Sequence, residues 1–301
     1  MSNIGILGVN KPAGMTSFDV VRQIKRETGI KKIGHGGTLD PMATGVLPIL
    51  FNEATAFFDV LLNSVKIYET EIQLGSFTDT DDKEGQITET LPIKDISLEE
   101  IKTHIESLTG TISQIPPQYS ALKIDGQRAY DLARKGKQVL LKPREVIVYM
   151  WDRVSYDAEK HIIKARIHCG SGTYIRSLGK DLATMLQTGG HLISLYRVSS
   201  GGIDIKDTIE FDDIAIKWQE KFISPEEALA FLPVIEWEGD KEYLLHGKPL
   251  VREMCKYPSK DGIYRLMYAG RIVALLEHKD RKLTYKKNLM HLYKNTEIEE
   301  K

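Results

Sequence analysis

The sequence predicts an α+β protein, and three observations carry that prediction. Apolar and polar residues alternate with the period of a strand over 66–74 and 161–169. Apolar residues recur at helical spacing over 97–109 and 174–187, and a capped segment at 16–28 reads the same way. Between these segments run loops so dense in Gly and Pro, above all at 34–45, that neither a helix nor a central strand can occupy them.

In chain order, "TSFDVVRQIKRET" opens with Thr16 as a helix cap, has Asp19 at the capping-box position and meets a stop at Gly29. "IGHGGTLDPMATG" is an ordered loop. In "KIYETEIQL", Tyr68, Thr70, Ile72 and Leu74 share one strand face. "TDTDDKEG" is a turn. Ser97 and Glu100 cap a helix whose stripe is Ile101, Ile105 and Leu108, and Gly110 ends it. A long basic stretch follows, bounded by Pro116 and Pro143, and a connection of that length inside a domain is usually functional. Strands are expected at 145–156 and 161–169, where Ile163, Ala165, Ile167 and Cys169 alternate with Lys164, Arg166 and His168. Gly170 and Gly172 break the second strand. A helix then runs from Tyr174 to Gln187 on Ile175, Leu178, Leu182 and Leu186. Near 204–242 an acidic stretch holds a short helix capped by Ser224, with Pro225 at its first position. Beyond Leu232 short strands and turns prevail, which puts a domain boundary near 232–240.

With 301 residues the chain can bury one large core and a small one. Its 42% hydrophobic and 28% charged residues are those of a soluble globular protein. No stretch approaches the roughly 20 apolar residues of a membrane span, and the first residues lack the pattern of a secretory signal. Cys169 and Cys255 form no CxxC pair, so two free thiols in a reducing cytoplasm are expected. The net charge of −1 hides a segregation. Residues 119–180 carry 13 Lys and Arg against 6 Asp and Glu, and residues 203–242 carry 4 against 12. A neutral protein so divided can present one positive face to phosphates. Chance clustering of solvated side chains gives the same counts.

Four constellations could carry chemistry. The 34–45 loop contains His35 and Asp40; a carboxylate on such a loop can be nucleophile or base, while Asp40-Pro41 is equally the signature of a plain turn. No Gly-Lys-Ser/Thr follows, so this is not a phosphate-binding P-loop. In "CGSGTYIRSLGKDL", Arg176 occupies the first turn of a helix beside Tyr174. Buried near a carboxylate it would hold that group ionised and oriented; with no partner visible in sequence, it reads as an exposed helix arginine. Tyr68 is either a core tyrosine or an aromatic that stacks on a flipped base. "TDTDDKEG" lacks the spacing of a calcium loop and reads as a solvated turn; no metal site is expected.

Five motifs, "NKPAGMTS", "GHGGTLDPMATGVLP", "TDTDDKEG", "PPQYSALKIDGQRAYDLAR" and "GSGTYIRSLGKDL", occur in this order. Together they closely resemble the bacterial tRNA pseudouridine-55 synthases, the TruB family, over residues 4 to about 232. The resemblance implies a pseudouridine synthase fold: a large mixed or antiparallel sheet flanked by helices, plus a small C-terminal β-rich domain of PUA-like type. The implied catalytic domain is 1–235, with an RNA-gripping insertion at about 115–145, and the RNA-binding domain is 236–301. The implied activity converts uridine to pseudouridine at position 55, in the T-loop of tRNA, by base flipping.

On the same resemblance, Asp40 is the nucleophile. Tyr68 stacks on the target base and is a candidate to assist loss of the C5 proton, and Arg176 pairs with Asp40. Leu195 lines the pocket, Tyr174 belongs with the substrate-binding residues, and His35 enters the space left by the flipped nucleotide. Lys11, with Pro12, matches a motif that supports the active-site loop and is grouped with the substrate-binding residues. Tyr196 replaces a common arginine, which implies a changed RNA contact. The partner implied is the tRNA T-stem-loop, with no membrane and no obligate protein partner. The reaction breaks C1′–N1 and joins C1′ to C5 with nothing added, so no cofactor is expected. Attack at C1′ and attack at C6 both stay open. Rivals are a guide-RNA-dependent relative, which the "PPQYSALKIDGQRAYDLAR" insertion disfavours, and an RNA-folding protein, which intact Asp40, Tyr68 and Arg176 disfavour. A glycoside hydrolase would need a second carboxylate on the Asp40 loop.

Overall fold

The computed structural model describes residues 4–120, 123–124, 127–128, 141–251 and 253–290. Most of the basic stretch expected to grip RNA lies outside them. The chain opens with β1 (Gly5–Lys11) and α1 (Ser17–Thr28). Thr16 and Asp19 form the expected capping box, and Gly29 closes the helix with φ 70°. Then come β2 (Ile33–His35), β3 (Thr44–Phe51), α2 (Phe58–Asn63), β4 (Lys66–Leu74), β5 (Ser76–Thr78) and β6 (Ile87–Thr90). Next are α3 (Leu98–Ser107), β7 (Gly110–Gln114), the short pair β8 (Lys123–Ile124) and β9 (Gln127–Arg128), β10 (Arg144–Asp157) and β11 (Ile162–Cys169). After α4 (Ile175–Met185) and β12 (Gly190–Ser200) come the two-residue strands β13 (Ile203–Asp204), β14 (Ile209–Glu210) and β15 (Phe222–Ile223). The chain ends in β16 (Val234–Glu236), β17 (Gly262–Tyr268), β18 (Arg271–Lys279) and β19 (Lys282–Asn288).

Eleven strands form one mixed sheet with the order β14-β1-β3-β12-β4-β11-β10-β7, to which β13, β15 and β2 add at its flanks. Its long pairings are antiparallel, while β1 with β14 and β3 with β12 run parallel. Along β4 every second residue is buried, so Lys66, Tyr68, Thr70, Ile72 and Leu74 face the core as the alternation predicts. The helices cover that face. Val20, Val21 and Ile24 of α1, Ile101 and Ile105 of α3 and Leu178 and Leu182 of α4 share one core with Leu47, Ile49, Ile72, Ile163 and Ile167.

One crossing positions the site. Near its end β12 lies between two partners, with Arg197 opposite Tyr68 of β4 and beside Gly45 of β3. Gly45 has φ 99°, and a Cβ there would stand 2.3 Å from the Arg197 carbonyl oxygen. Only glycine permits that approach.

β16 to β19 form a separate four-stranded sheet with its own interior of Trp237, Leu244, Tyr264, Leu266 and Leu276. Met267, Ile272, Leu275 and Leu289 of this part pack against Ile6, Val46, Leu50 and Phe57, so the two sheets share a core. Among the described residues no helix is long and apolar enough to cross a membrane.

One expectation is corrected. "TDTDDKEG" is not a solvated turn, because Asp81 and Asp82 are 4% and 3% exposed. The segment is drawn against β12, where Leu192 N–H donates to the Asp81 carbonyl and Lys83 N–H to the Leu192 carbonyl.

Candidate active site

The loop between β2 and β3 carries Asp40 and is clamped from both sides. On one side Lys11 Nζ donates to the carbonyls of Pro12, Met15 and Pro41 at 2.8, 2.7 and 3.2 Å, and Gly14 N–H donates to the Pro41 carbonyl at 2.8 Å. On the other, Arg197 donates from Nη2 to the Gly37 carbonyl at 3.1 Å and from Nη1 to the Thr38 carbonyl at 3.2 Å. Ser17 at the start of α1 holds Leu39 by its N–H, 2.9 Å away. The backbone is fixed while the Asp40 side chain keeps 32% of its surface. That combination suits a carboxylate that must meet a ligand without losing its aim.

Arg176 reaches it from the first turn of α4. Its Nε lies 2.9 Å from Asp40 Oδ2, and Nη2 donates to Asp40 Oδ1 at 3.1 Å. The remaining donors go to the carbonyls of Thr80 and Tyr119 at 2.8 and 2.9 Å, and Nη1 lies 3.6 Å from Asp82 Oδ2. Arg176 is buried, contrary to the exposed helix arginine that its sequence context suggested. One turn further on, Lys180 pairs with Asp81 at 2.9 Å. The two basic residues, four apart on one helix face, therefore draw the acidic segment inward. Asp82 is held in turn by the Thr80 hydroxyl at 2.6 Å and the Glu84 N–H at 3.0 Å.

These groups line a cavity of about 210 Å³ whose wall includes Asp40, Tyr68, Tyr174, Arg176, Leu195 and Arg197. Five of the seven residues singled out in the sequence thus converge, from four separate stretches of chain. Tyr68 is buried, and loss of solvent pushes its phenol up from the usual range. Tyr174 is pushed up for the same reason, and its backbone is pinned by both ends of the Gln114 amide at 2.8 and 3.1 Å. His35 and Lys11 do not line the cavity. His35 is partly buried on β2, and burial lowers its pKa, so its ring is neutral at neutral pH. The Lys11 ammonium is fully buried among its three carbonyls, and burial pulls it down to about 8. It holds the loop from behind.

Sequence reasoning passed over Lys66 and Asp82. Lys66 lines the cavity and closes the C-terminal end of α2 with bonds to the carbonyls of Leu61, Leu62 and Ser64. Burial, then the nearby Arg197, bring it down to about 8. It stands two residues before Tyr68 on the same face, so the strand period could have found it. Asp82 lay within the "TDTDDKEG" motif, whose reading as a solvated turn hid it. Among the described residues no group of three His, Cys, Asp or Glu side chains could hold a metal ion.

Residues 25–175 match the family model described as TruB family pseudouridylate synthase, N-terminal domain. The chain is 44% identical over 238 residues to a tRNA pseudouridine synthase B of Microcystis aeruginosa, covering 79% of this chain and 80% of that one. It is 40% identical over 288 residues to the protein of that name from Corynebacterium efficiens, covering 94% and 95%. Among solved structures, a chain of a Cbf5-Nop10-Gar1 complex superposes with a TM-score of 0.71 at 24% identity, over 95% of this chain and 84% of that one. At that identity the likeness speaks for a shared fold.

Proposed function

This chain belongs to the TruB family of pseudouridylate synthases, and from that premise we propose that it isomerises uridine 55 in the T-loop of tRNA with Asp40 as its nucleophile. One observation carries the reading: the partly exposed Asp40 carboxylate on a clamped loop, held by buried Arg176 at 2.9 Å, in a cavity walled by Tyr68 and Leu195. A concave site of this kind, with an aromatic in its wall, suits a base that has left its stack, which is the requirement of base flipping.

Asp40 attacks the nucleoside at C1′ or C6 and the C1′–N1 bond breaks. The uracil turns within the cavity, C1′ joins C5, the bond to Asp40 breaks and returns the free carboxylate, the C5 proton leaves and N1 ends protonated. No atom is gained or lost. Arg176 keeps Asp40 anionic and aimed. Tyr68 packs on the base and is the nearest candidate to take part in removal of the C5 proton; its raised pKa keeps it a neutral phenol until a partner favours charge there. Tyr174 and Leu195 bound the base, and His35, outside the cavity, is available to the emptied loop. Residues 1–235 form the catalytic domain. Residues 236–301, which contain most of the four-stranded sheet, form a PUA-like domain that holds RNA away from the reacting uridine.

Primer extension on a tRNA transcript after carbodiimide labelling tests the assignment. A new stop at the T-loop uridine, formed by wild type and absent without protein, is expected. A stop elsewhere would refute the position, and no stop at all would refute the activity.

A further inference from the structure

Arg197 is 1% exposed and heads the largest fully buried side chains of the protein. A guanidinium taken out of water is costly unless its donors are met and its charge is used. No ion pair to a carboxylate involves it among the described residues. Its donors go instead to three main-chain carbonyls: Nε to Val46 at 2.7 Å, Nη1 to Thr38 at 3.2 Å and Nη2 to Gly37 at 3.1 Å. Val46 belongs to β3, and Gly37 and Thr38 lead into Asp40. The same residue faces Tyr68 across the β12–β4 pairing, and its charge acts against the rise that burial imposes on the Tyr68 phenol. Both side chains line the cavity. Gly45 alone lets β3 come close enough to β12 for this arrangement, and its Cβ position is blocked by the Arg197 backbone.

We propose that Arg197 is a positioning residue that couples Tyr68 to the Asp40 loop. One planar fork fixes the loop through Gly37 and Thr38, while its own residue stands opposite Tyr68 in the strand pairing. The two groups that must act on opposite parts of one nucleoside thereby keep a constant separation. The positive charge, paired with no carboxylate among the described residues, is available to the phenol oxygen. Lys66 on β4, Cys169 on β11 and Asp40 on its loop are the other titratable groups around Tyr68. Arg197 both stands opposite Tyr68 and bonds the nucleophile loop. This role rests on the function proposed above.

The test uses the full chain and a tRNA transcript tritiated at C5 of uridine, with Arg197→Lys and Arg197→Met beside wild type. Thermal unfolding, tRNA binding and single-turnover tritium release are measured for each. Wild-type release upholds the parent reading independently of the variants, and its absence sinks that reading alone. Lysine keeps the charge and much of the volume but has one nitrogen, which cannot replace the bonds to Val46, Thr38 and Gly37 together. At least a tenfold slower release is expected for Arg197→Lys and at least a hundredfold for Arg197→Met, with tRNA affinity within threefold of wild type. A purely structural residue would lower the melting temperature and spare the rate well below it. Rates within threefold of wild type, or rates lost only in step with tRNA affinity, overturn the proposal. Should Arg197→Met fail to fold, Arg197→Lys decides alone.

Discussion

Replacing Arg176 by Met fills most of the same volume and removes the charge. Five contacts disappear: two to Asp40, one to Asp82, and the bonds to the Thr80 and Tyr119 carbonyls. The two carboxylates suffer unequally. Asp40 keeps a third of its surface and can turn to water, whereas the Asp82 side chain, 4% exposed, cannot. Leaving one partner of a buried pair uncompensated costs about 3–5 kcal/mol. Relief from burying the guanidinium itself offsets part of this, so the lower end, about 3 kcal/mol, is expected. The catalytic loss has a separate cause, the freed Asp40 carboxylate, and should be at least ~100-fold, equivalent to about 2.7 kcal/mol of barrier. Arg176→Lys isolates geometry from charge: it should recover part of the stability but little of the rate, because one ammonium cannot serve Asp40 and Asp82 at once. Urea unfolding followed by tryptophan fluorescence gives the first quantity and single-turnover tritium release the second. Destabilisation under about 1 kcal/mol together with a rate within threefold of wild type would refute the reasoning.

Two further predictions concern single positions. Gly45→Ala places a Cβ 2.3 Å from the Arg197 carbonyl oxygen at φ 99°, so a stability loss of at least about 3 kcal/mol is expected by urea unfolding; an unchanged midpoint would contradict the close approach of β3 and β12. Burial raises the Asp181 carboxyl to about 6, so the folded protein binds more protons than the unfolded chain between about pH 4 and 6, and stability from this group falls as pH rises through that window. Asp181→Asn should therefore stabilise the protein by roughly 1–2 kcal/mol at pH 7, after discounting for partial exposure, and by nothing near pH 4. An equal shift at both pH values would point to another cause.

How much of this was legible in the sequence depended on whether burial left a periodic trace. β4 and β11 are covered on one face and alternate accordingly, and α1 and α3 announce themselves by caps: the Thr16–Asp19 box is complete, while at Ser97 only the bond from the Glu100 N–H to the serine oxygen forms. β1 and β3 escaped because both faces are buried; seven of the eight residues of β3 are inaccessible, so nothing alternates. Pro48 and Gly45 within β3 disguised it further. The acidic "TDTDDKEG" was misread because its burial is imposed from 94 to 99 residues away, by Arg176 and Lys180. For the site, motif resemblance named Asp40, Tyr68 and Arg176, but neither spacing nor composition joins residues separated by 136 positions. Arg197 stood in the sequence only as the neighbour of Tyr196; its bonds to Val46, Thr38 and Gly37 arise from the β3–β12 pairing, which no local pattern encodes.

The central claim is that Asp40 makes this cavity a uridine isomerase. The most direct measurement is tritium release from a tRNA transcript labelled at C5 of uridine, with no cofactor added, by wild type and by Asp40→Asn at equal tRNA occupancy. The account predicts stoichiometric release by wild type and none by the variant. Equal release by both proteins, or none by either despite tRNA binding, would contradict it.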